Sequence, residues 1–353
     1  STPVCADRRC LVDNILEVKN LSVSFMSYIG EIRAVRDVSF SLKPGETLAI
    51  VGESGCGKTV TVKALMRLFG NSAAAIKEGS QILFRGQDIV KMKKSELYNI
   101  RGSGIGMIFQ DPMTSLNPTM NVGAQIVEGI RTHDSKISHR DALARAVKLL
   151  ELVGIPSPEE RIGNYPHQLS GGMRQRVMIA IAIACSPDII IADEPTTALD
   201  VTIQAQVLEL LRELKDKLNT AFILVTHDLG IVFDFSDRIQ VMYAGRIVER
   251  GTKHEIYKNP VHPYTWALLN SIPRRGLQSK DELYSIKGTP PDLMLPLECC
   301  PFAPRCDYAM PICKARAPQE VALSDTHGAA CWLLHSMAPR VERPGALRGA
   351  DDE

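Results

Sequence analysis

The stretch "TLAIVGESGCGKTVTVKALMRLFG", residues 47–70, decides the fold of this chain. Its first five residues are mainly apolar and are typical of a buried strand, whereas "KTVTVKALMRLFG" has helical spacing and ends at Gly70. Between them, "GESGCGKT" fits the phosphate-binding pattern G-x-x-x-x-G-K-[ST]. A strand, a glycine-rich turn and a helix in this order predict an α/β fold that binds a nucleoside triphosphate at the turn.

The turn itself indicates how the phosphates would be held. Glycines let backbone N–H groups curl around phosphate oxygens, Lys58 offers a point charge to the β- and γ-phosphates, and Thr59 can give a hydroxyl to Mg²⁺. Cys56 is either a small filler or a thiol open to alkylation, and we favour the filler. The predicted nucleotide-binding residues of this loop are Gly52, Ser54, Gly55, Cys56, Gly57, Lys58, Thr59 and Val60.

A second site follows a second apolar run, "IIIADEP" at 189–195. The run places Asp193 and Glu194 at the carboxyl end of a buried strand, which is the edge where open α/β sheets bind ligands. We expect Asp193 to hold Mg²⁺ or its water and Glu194 to polarise the attacking water. The alternative is that both acids cap the next helix.

Length and charge limit the number of domains and the kinds of partner that this chain can have. The 353 residues suggest two domains, or one large domain with an appendage. A net charge of +1, from 41 basic and 40 acidic residues, argues against a strongly basic nucleic-acid face, although a local patch stays possible. Apolar runs such as 177–185 are shorter than the ~20 residues of a membrane span, and residues 1–10 lack a signal-peptide pattern. We therefore expect a cytosolic protein with reduced thiols.

Four further motifs suggest a family. "FQDP" (109–112), "LSGGMRQRV" (169–177), "ADEPTTALD" (192–200) and "VTHD" (225–228) together with the phosphate loop resemble the ATP-binding subunits of ABC transporters. The resemblance covers about residues 15–270. It implies a P-loop NTPase of ABC type with a mainly parallel core sheet, an antiparallel β subdomain and a helical subdomain at about 111–187.

The resemblance also implies roles for single residues. Lys58, Glu194 and His227, the switch histidine, would be catalytic, and Thr59, Gln110 and Asp193 would bind Mg²⁺. Gln110 would also couple the site to the membrane subunits. The residues expected to contact the ATP of a partner subunit are Ser170, Gly171, Gly172 and Asp200.

The adenine-stacking residue and one position of the signature motif fit the family pattern less closely. Tyr28 is the candidate adenine platform, with Phe25 as the alternative. Met173 stands where the family commonly has Gln, which we expect to alter a contact across the dimer.

The C-terminal part narrows the substrate class. "VMYAGRIVERG" (241–251), "NPVHPYTWALLNSIP" (259–273) and "CCPFAPRCDYAMPICKARAP" (299–318) are similar to the subfamily that powers dipeptide, oligopeptide and nickel importers, in its oligopeptide D-subunit type. The implied partners are a second ATPase subunit in a heterodimer, two permease subunits and an extracytoplasmic peptide-binding protein, and not nucleic acid. The implied location is the cytoplasmic face of the inner membrane, as a peripheral protein. A nickel importer, or an ABC-type ATPase acting on nucleic acid, is the alternative.

The same resemblance divides the chain. It implies an ATPase domain (15–270) and a cysteine-rich extension (271–335), which leave an N-terminal tail (1–14) and a C-terminal tail (336–353) whose composition predicts disorder. Four of the nine cysteines, Cys300, Cys306, Cys313 and Cys331, form the implied ligand set for a 4Fe–4S cluster or for zinc. Unmetallated thiols remain a third possibility. Cys299 would be a bystander, and Cys5, Cys10 and Cys185 have no partner spacing.

Overall fold

A computed structural model describes residues 13–70, 73–197, 200–271, 286–294 and 296–344. Most of the predicted N-terminal tail and the end of the predicted disordered tail, from 345 onward, lie outside these ranges. The strands are β1 (Leu16–Ser27), β2 (Gly30–Leu42), β3 (Thr47–Val51), β4 (Ala74–Ile76), β5 (Gln81–Phe84), β6 (Gln87–Asp88), β7 (Ile105–Ile108), β8 (Ile189–Asp193), β9 (Ala221–Thr226), β10 (Arg238–Tyr243), β11 (Arg246–Thr252), β12 (Val321–Ala322) and β13 (Gly328–Ala329). The helices are α1 (Lys58–Leu65), α2 (Lys94–Ile100), α3 (Pro112–Ser115), α4 (Val122–His133), α5 (His139–Leu152), α6 (Pro158–Arg161), α7 (Gly171–Ile183), α8 (Val201–Leu218), α9 (Leu229–Phe235), α10 (Lys253–Lys258), α11 (Pro263–Asn270) and α12 (Pro311–Ala315).

The core is a sheet in the order β12-β13-β11-β10-β3-β9-β8-β7. The strands from β10 to β7 are parallel, and the pairings of β11, β13 and β12 are antiparallel. Every residue of β3, β8 and β9 is buried, because helices and the second sheet cover this sheet and leave no solvent face. The predicted α/β class with a mainly parallel core is confirmed.

A second, antiparallel sheet packs against the first through α1. Its order is β2-β1-β5-β6, with β4 also pairing with β1. The inward side chains of β1, among them Leu16, Val18 and Leu21, are fully buried in one cluster with Val62 and Leu65 of α1. This contact holds the helix that follows the phosphate-binding loop.

Residues 109–188 connect β7 to β8 through α3 to α7 and contain no strand. Apolar faces of α4, α5 and α7 meet in one core that includes Ile126, Leu150 and Ile179. The starts of α3, α4, α5 and α7 are capped by side chains, for example Asn121, whose Oδ1 accepts from Ala124 N–H at 2.7 Å. This segment is where the sequence predicts a helical subdomain.

Among the described residues, no helix is both long and apolar enough to span a bilayer.

The cysteine-rich extension adds strands to the core sheet. The short β12–β13 hairpin continues it beyond β11, with Glu249 opposite Ala329. Glu249 is fully buried, and its carboxylate accepts from the backbone N–H groups of Val261 and His262 and pairs with His327 Nε2 at 2.9 Å. The buried carboxylate therefore ties β11, the start of α11 and the extension together.

The start of α11 depends on a buried neutral histidine. His262 precedes Pro263 at the helix start, and its Nδ1 accepts from Tyr264 N–H at 3.0 Å. Burial lowers the pKa of His262 to about 4, although the neighbouring Glu249 carboxylate favours the charged form. The ring is therefore neutral near pH 7 and acts as an acceptor.

We expect His262→Asn to reduce the loss of stability in mild acid. The ordinary imidazole pKa is 6.5, so between about 4 and 6.5 the unfolded wild-type chain binds more protons at this position than the folded chain. Its free energy of unfolding should therefore fall as the pH drops through this window, by about 3 kcal/mol in all. Asn offers an acceptor to Tyr264 N–H but takes up no proton.

Urea unfolding followed by circular dichroism between pH 7 and pH 4.5 measures this difference. Other groups titrate equally in both proteins, so the difference between them isolates His262. An equal decline in the variant and the wild type would contradict the assignment.

Candidate nucleotide-binding site

The predicted site residues follow the ends of four parallel strands. β3 ends at the phosphate-binding loop, β7 two residues before Gln110, β8 at Asp193 and β9 one residue before His227. Because parallel strands place their carboxyl ends at one edge of the sheet, these side chains converge there.

The phosphate-binding loop packs too closely on its neighbours for side chains at two positions. Gly52 has φ +152°, and a Cβ there would lie 2.2 Å from the carbonyl oxygen of Met242 on β10. Gly57 has φ +105°, and its Cβ would lie 2.4 Å from the carbonyl oxygen of Ala34 on β2. Both sheets therefore fix the curvature of the loop. Cys56 is buried and burial raises the pKa of its thiol, which supports its role as a filler.

Lys58 lies inside the curve of the loop. Its Nζ donates to the carbonyl oxygens of Gly52 at 2.8 Å and Glu53 at 3.0 Å. The side chain is only 3% exposed, so its charge acts in a poorly screened environment. A phosphate oxygen at the loop would compete for these N–H groups.

Glu194 is the point where the predicted catalytic residues meet. Its Oε1 lies 3.7 Å from both Lys58 Nζ and His227 Nδ1, and its Oε2 accepts from Gln110 Nε2 and Thr197 Oγ1 at 3.0 Å each. The backbone of Glu194 is left-handed, with φ +47°, which is rare for a residue with a side chain. Such strain is typical of functional sites, where neighbouring groups hold the conformation.

The predicted Mg²⁺ ligands line one cleft. Thr59 Oγ1 donates to Asp193 Oδ1 at 2.9 Å, and both residues border a cleft of about 480 Å³ together with Gln110. Burial raises the pKa of Asp193, an effect that the hydrogen bond from Thr59 opposes. Carboxylate, hydroxyl and amide oxygens are the ligands that Mg²⁺ prefers, so these residues suit a divalent cation bound with phosphate.

The residues predicted to act on a partner's ATP lie at two helix starts. Ser170 caps α7 by accepting from Met173 N–H at 3.3 Å, and Asp200 caps α8 by accepting from Ile203 N–H at 2.9 Å. A Cβ on Gly171 would meet no atom within 4 Å. In the described part of the chain, no hydrogen bond joins Ser170 or Asp200 to the phosphate-binding loop.

The two candidate adenine platforms differ in exposure. Tyr28 lies in the turn between β1 and β2 with its side chain fully exposed. Phe25 is partly buried and packs edge-to-face on Phe69, with ring centroids 6.2 Å apart. Tyr28 is therefore the ring with a free face, and it stays a prediction.

The four cysteines of the predicted set lie near one another. Cys300 and Cys313 are buried, and Cys300 N–H donates to the Cys313 carbonyl oxygen at 2.9 Å. Burial raises the pKa of Cys331 to about 12 and that of Cys306 to about 11, and the charges of the neighbouring thiols contribute to both shifts. Within the described ranges, however, no three His, Cys, Asp or Glu side chains are spaced to hold a metal ion.

Sequence reasoning missed a group of residues behind the phosphate-binding loop. Glu53 N–H donates to Tyr264 Oη at 2.8 Å, and the Glu53 carboxylate forms two hydrogen bonds with Arg305. Tyr264 and Arg305 stand in the "HPYT" and cysteine motifs, which were assigned to the subfamily and not to the loop. Their large separation from Glu53 along the chain left no local pattern that could pair them.

Comparisons with known proteins agree with the geometry of a nucleotide-binding site. The family model described as ABC transporter matches residues 35–197, and that described as oligopeptide/dipeptide transporter, C-terminal region, matches residues 248–313. The oligopeptide transport ATP-binding protein OppD of Bacillus subtilis is 55% identical over 96% of this chain and 94% of its own length. The dipeptide transport ATP-binding protein DppD of Lactococcus lactis is 52% identical over 93% of each chain.

A solved structure of an ATP-binding cassette is also similar to this chain. The dimeric, post-hydrolysis form of the ATP-binding cassette MJ0796, bound to ADP and Pi, is 27% identical with a TM-score of 0.61, and the match covers 67% of this chain and 98% of that one. The residues matched by the peptide-transporter model, 248–313, follow those matched by the ABC transporter model. The chain therefore belongs to the ABC transporter family of ATP-binding proteins and carries the C-terminal region of the oligopeptide/dipeptide transporters.

Proposed function

We propose that this chain binds and hydrolyses ATP to power a membrane importer for dipeptides or oligopeptides. The observation that carries the proposal is the convergence of Lys58, Gln110 and His227 on Glu194 beside the phosphate-binding loop. The C-terminal region and the peptide transporters among its relatives favour peptides over nickel. They also favour transport over action on nucleic acid.

The residues divide the work of phosphoryl transfer. Backbone N–H groups of the loop and Lys58 hold the β- and γ-phosphates, at the positive end of α1. Mg²⁺ held by Thr59, Gln110 and Asp193 would neutralise phosphate charge. Tyr28 stacks on the adenine ring.

Glu194 orients the attacking water. Its carboxylate lies next to the cleft and is held by Gln110 and Thr197, so it can accept a hydrogen bond from a water in line with the γ-phosphate. His227 and Lys58 stabilise the charge that develops on the phosphoryl group.

The second half of the site comes from a second, different ATP-binding subunit. The capped start of α7, with Ser170, Gly171 and Gly172, faces the partner's γ-phosphate, and Asp200 lies beside it. Two permease subunits and an extracytoplasmic peptide-binding protein complete the importer, with this chain peripheral on the cytoplasmic face of the inner membrane. ATP binding closes the dimer and hydrolysis reopens it.

We expect Glu194→Gln to bind ATP normally but to lose turnover by at least about a hundredfold, because the amide cannot activate water. Gln tolerates the left-handed backbone as well as Glu does, so the loop geometry is preserved. Phosphate release and ATP binding are measured in the assembled transporter, with Glu213→Gln, in an exposed ion pair on α8, as the control. Wild-type turnover in Glu194→Gln would refute the role of this residue.

We expect Gly171→Ala to separate folding from dimer closure. The new methyl meets no side chain or distant backbone atom of its own chain, and Gly171 is the first residue of α7, where alanine is no less favourable than glycine. The thermal midpoint should therefore stay or rise. Turnover in the transporter should nevertheless fall about tenfold or more, because the methyl occupies the path of the partner's phosphate. Unchanged turnover would exclude α7 from the interface.

The four cysteines are assigned a structural 4Fe–4S cluster. Their mutual charge interactions support one shared neighbourhood. A zinc ion would need all four sulfurs within about 4 Å of one another, because Zn–S bonds are about 2.3 Å long. In a cluster each cysteine binds its own iron, so the sulfurs stand farther apart. The two metals therefore require different sulfur spacings, and among the described residues no three donor side chains are spaced to hold either.

Anaerobic purification with iron, sulfide and zinc analysis tests this assignment. We expect about four irons and matching sulfide in the wild type and in Cys299→Ser, and their loss in Cys306→Ser. One zinc per chain would replace the cluster with a zinc site. Freshly prepared protein without metal would reject both, while leaving the ATPase assignment untouched.

A further inference from the structure

Glu53 of the phosphate-binding loop is held from outside the ATPase core. Its backbone N–H donates to Tyr264 Oη, and its carboxylate is bound by Arg305 from the cysteine-rich extension. The ion pair is bidentate, with Nη1 2.6 Å from Oε2 and Nη2 2.9 Å from Oε1. Paired hydrogen bonds of this kind fix orientation as well as charge.

Arg305 uses all of its donors in this position. Besides the two bonds to Glu53, Nη1 donates to Tyr243 Oη at 3.2 Å, Nη2 to the Ile286 carbonyl oxygen at 3.3 Å and Nε to the Lys287 carbonyl oxygen at 2.8 Å. A guanidinium has five N–H groups, so each has a partner. The Arg305 side chain is 5% exposed and that of Glu53 is 26% exposed, so water screens this ion pair only in part.

The backbone that carries Arg305 is packed against the core. Arg305 N–H donates to the Phe302 carbonyl oxygen at 2.9 Å. The Phe302 ring contacts the rings of both Tyr243 and Tyr264, with centroids 5.3 Å apart in each case. These aromatic contacts keep the guanidinium at a fixed distance from the loop.

The same loop residue contacts the nucleotide machinery on its other side. The carbonyl oxygen of Glu53 accepts from Lys58 Nζ at 3.0 Å, so a change in the Glu53 backbone moves a partner of the phosphate-binding lysine. In addition, an unpaired carboxylate at Glu53 would repel the phosphates of ATP, and Arg305 neutralises it.

We infer that Arg305 is a positioning residue of the ATP site, supplied by the extension, which fixes and neutralises Glu53 and thereby sets the affinity for nucleotide. The inference rests on the proposed function in that the loop must bind ATP. It adds a second role for the extension, independent of any metal.

The test compares nucleotide binding and turnover in variants of the full chain. Affinity is measured with a fluorescent ATP analogue, and kcat and KM in the assembled transporter. We expect Arg305→Met to weaken binding and raise KM about tenfold, with less than a threefold change in kcat, because the catalytic groups around Glu194 stay in place. Arg305→Lys keeps the charge but cannot form the bidentate hydrogen bonds. The affinity of this variant should therefore lie between that of the wild type and that of Arg305→Met.

A double variant separates positioning from loss of structure. Adding Glu53→Gln to Arg305→Met removes the unpaired carboxylate and should restore most of the lost affinity, which a merely structural defect would not permit. Arg250→Met is the matched control. Arg250 ties the extension to β11 through Glu320 at 2.6 Å, away from the loop, and its loss should leave affinity and KM at wild-type values.

The outcomes are distinct. Wild-type affinity in Arg305→Met, no recovery in the double variant, or an equal loss in Arg250→Met would each overturn the inference. A wild-type chain that fails to bind the analogue would instead refute the proposed function.

Discussion

The rest of the site depends on the contacts that the Glu194 carboxylate makes with three neighbouring side chains. It contacts Lys58 from the loop after β3, Gln110 from the segment after β7, and His227 from the segment after β9. These groups can meet only because the strands are parallel and end at one edge of the sheet. The left-handed backbone of Glu194 turns the chain at that edge, so the fold carries a local strain where the chemistry is expected.

Much of this could be predicted from sequence because the signals are local. The phosphate-binding loop, the acidic pair after β8 and the signature helix are each defined by neighbouring residues whose spacing fits one backbone geometry. The buried strands are also readable, because an apolar run bounded by turn residues is typical of a covered parallel sheet. The α/β class and the candidate site therefore follow from short stretches.

What could not be predicted depends on contacts between distant residues. Nothing in "VA" at 321–322 or "GA" at 328–329 indicates that this hairpin extends the core sheet. Likewise, Glu53 occupies a variable position of its motif, and no local pattern around Arg305 indicates a contact with the loop. Only the packing of Phe302 against Tyr243 and Tyr264 brings the guanidinium to the loop. The spacing of the four thiols also depends on tertiary structure, because Cys331 approaches the others from beyond the hairpin.

The pairing of Glu53 with Arg305 also imposes an order in time. The two residues are 252 positions apart, and translation proceeds at about 5–20 residues per second, so the loop leaves the ribosome on the order of 10–50 s before its arginine. During that interval a nascent core with a folded loop lacks the group that neutralises Glu53. On the role inferred for Arg305, full nucleotide affinity is therefore reached only once the extension has been synthesised and has packed on the core.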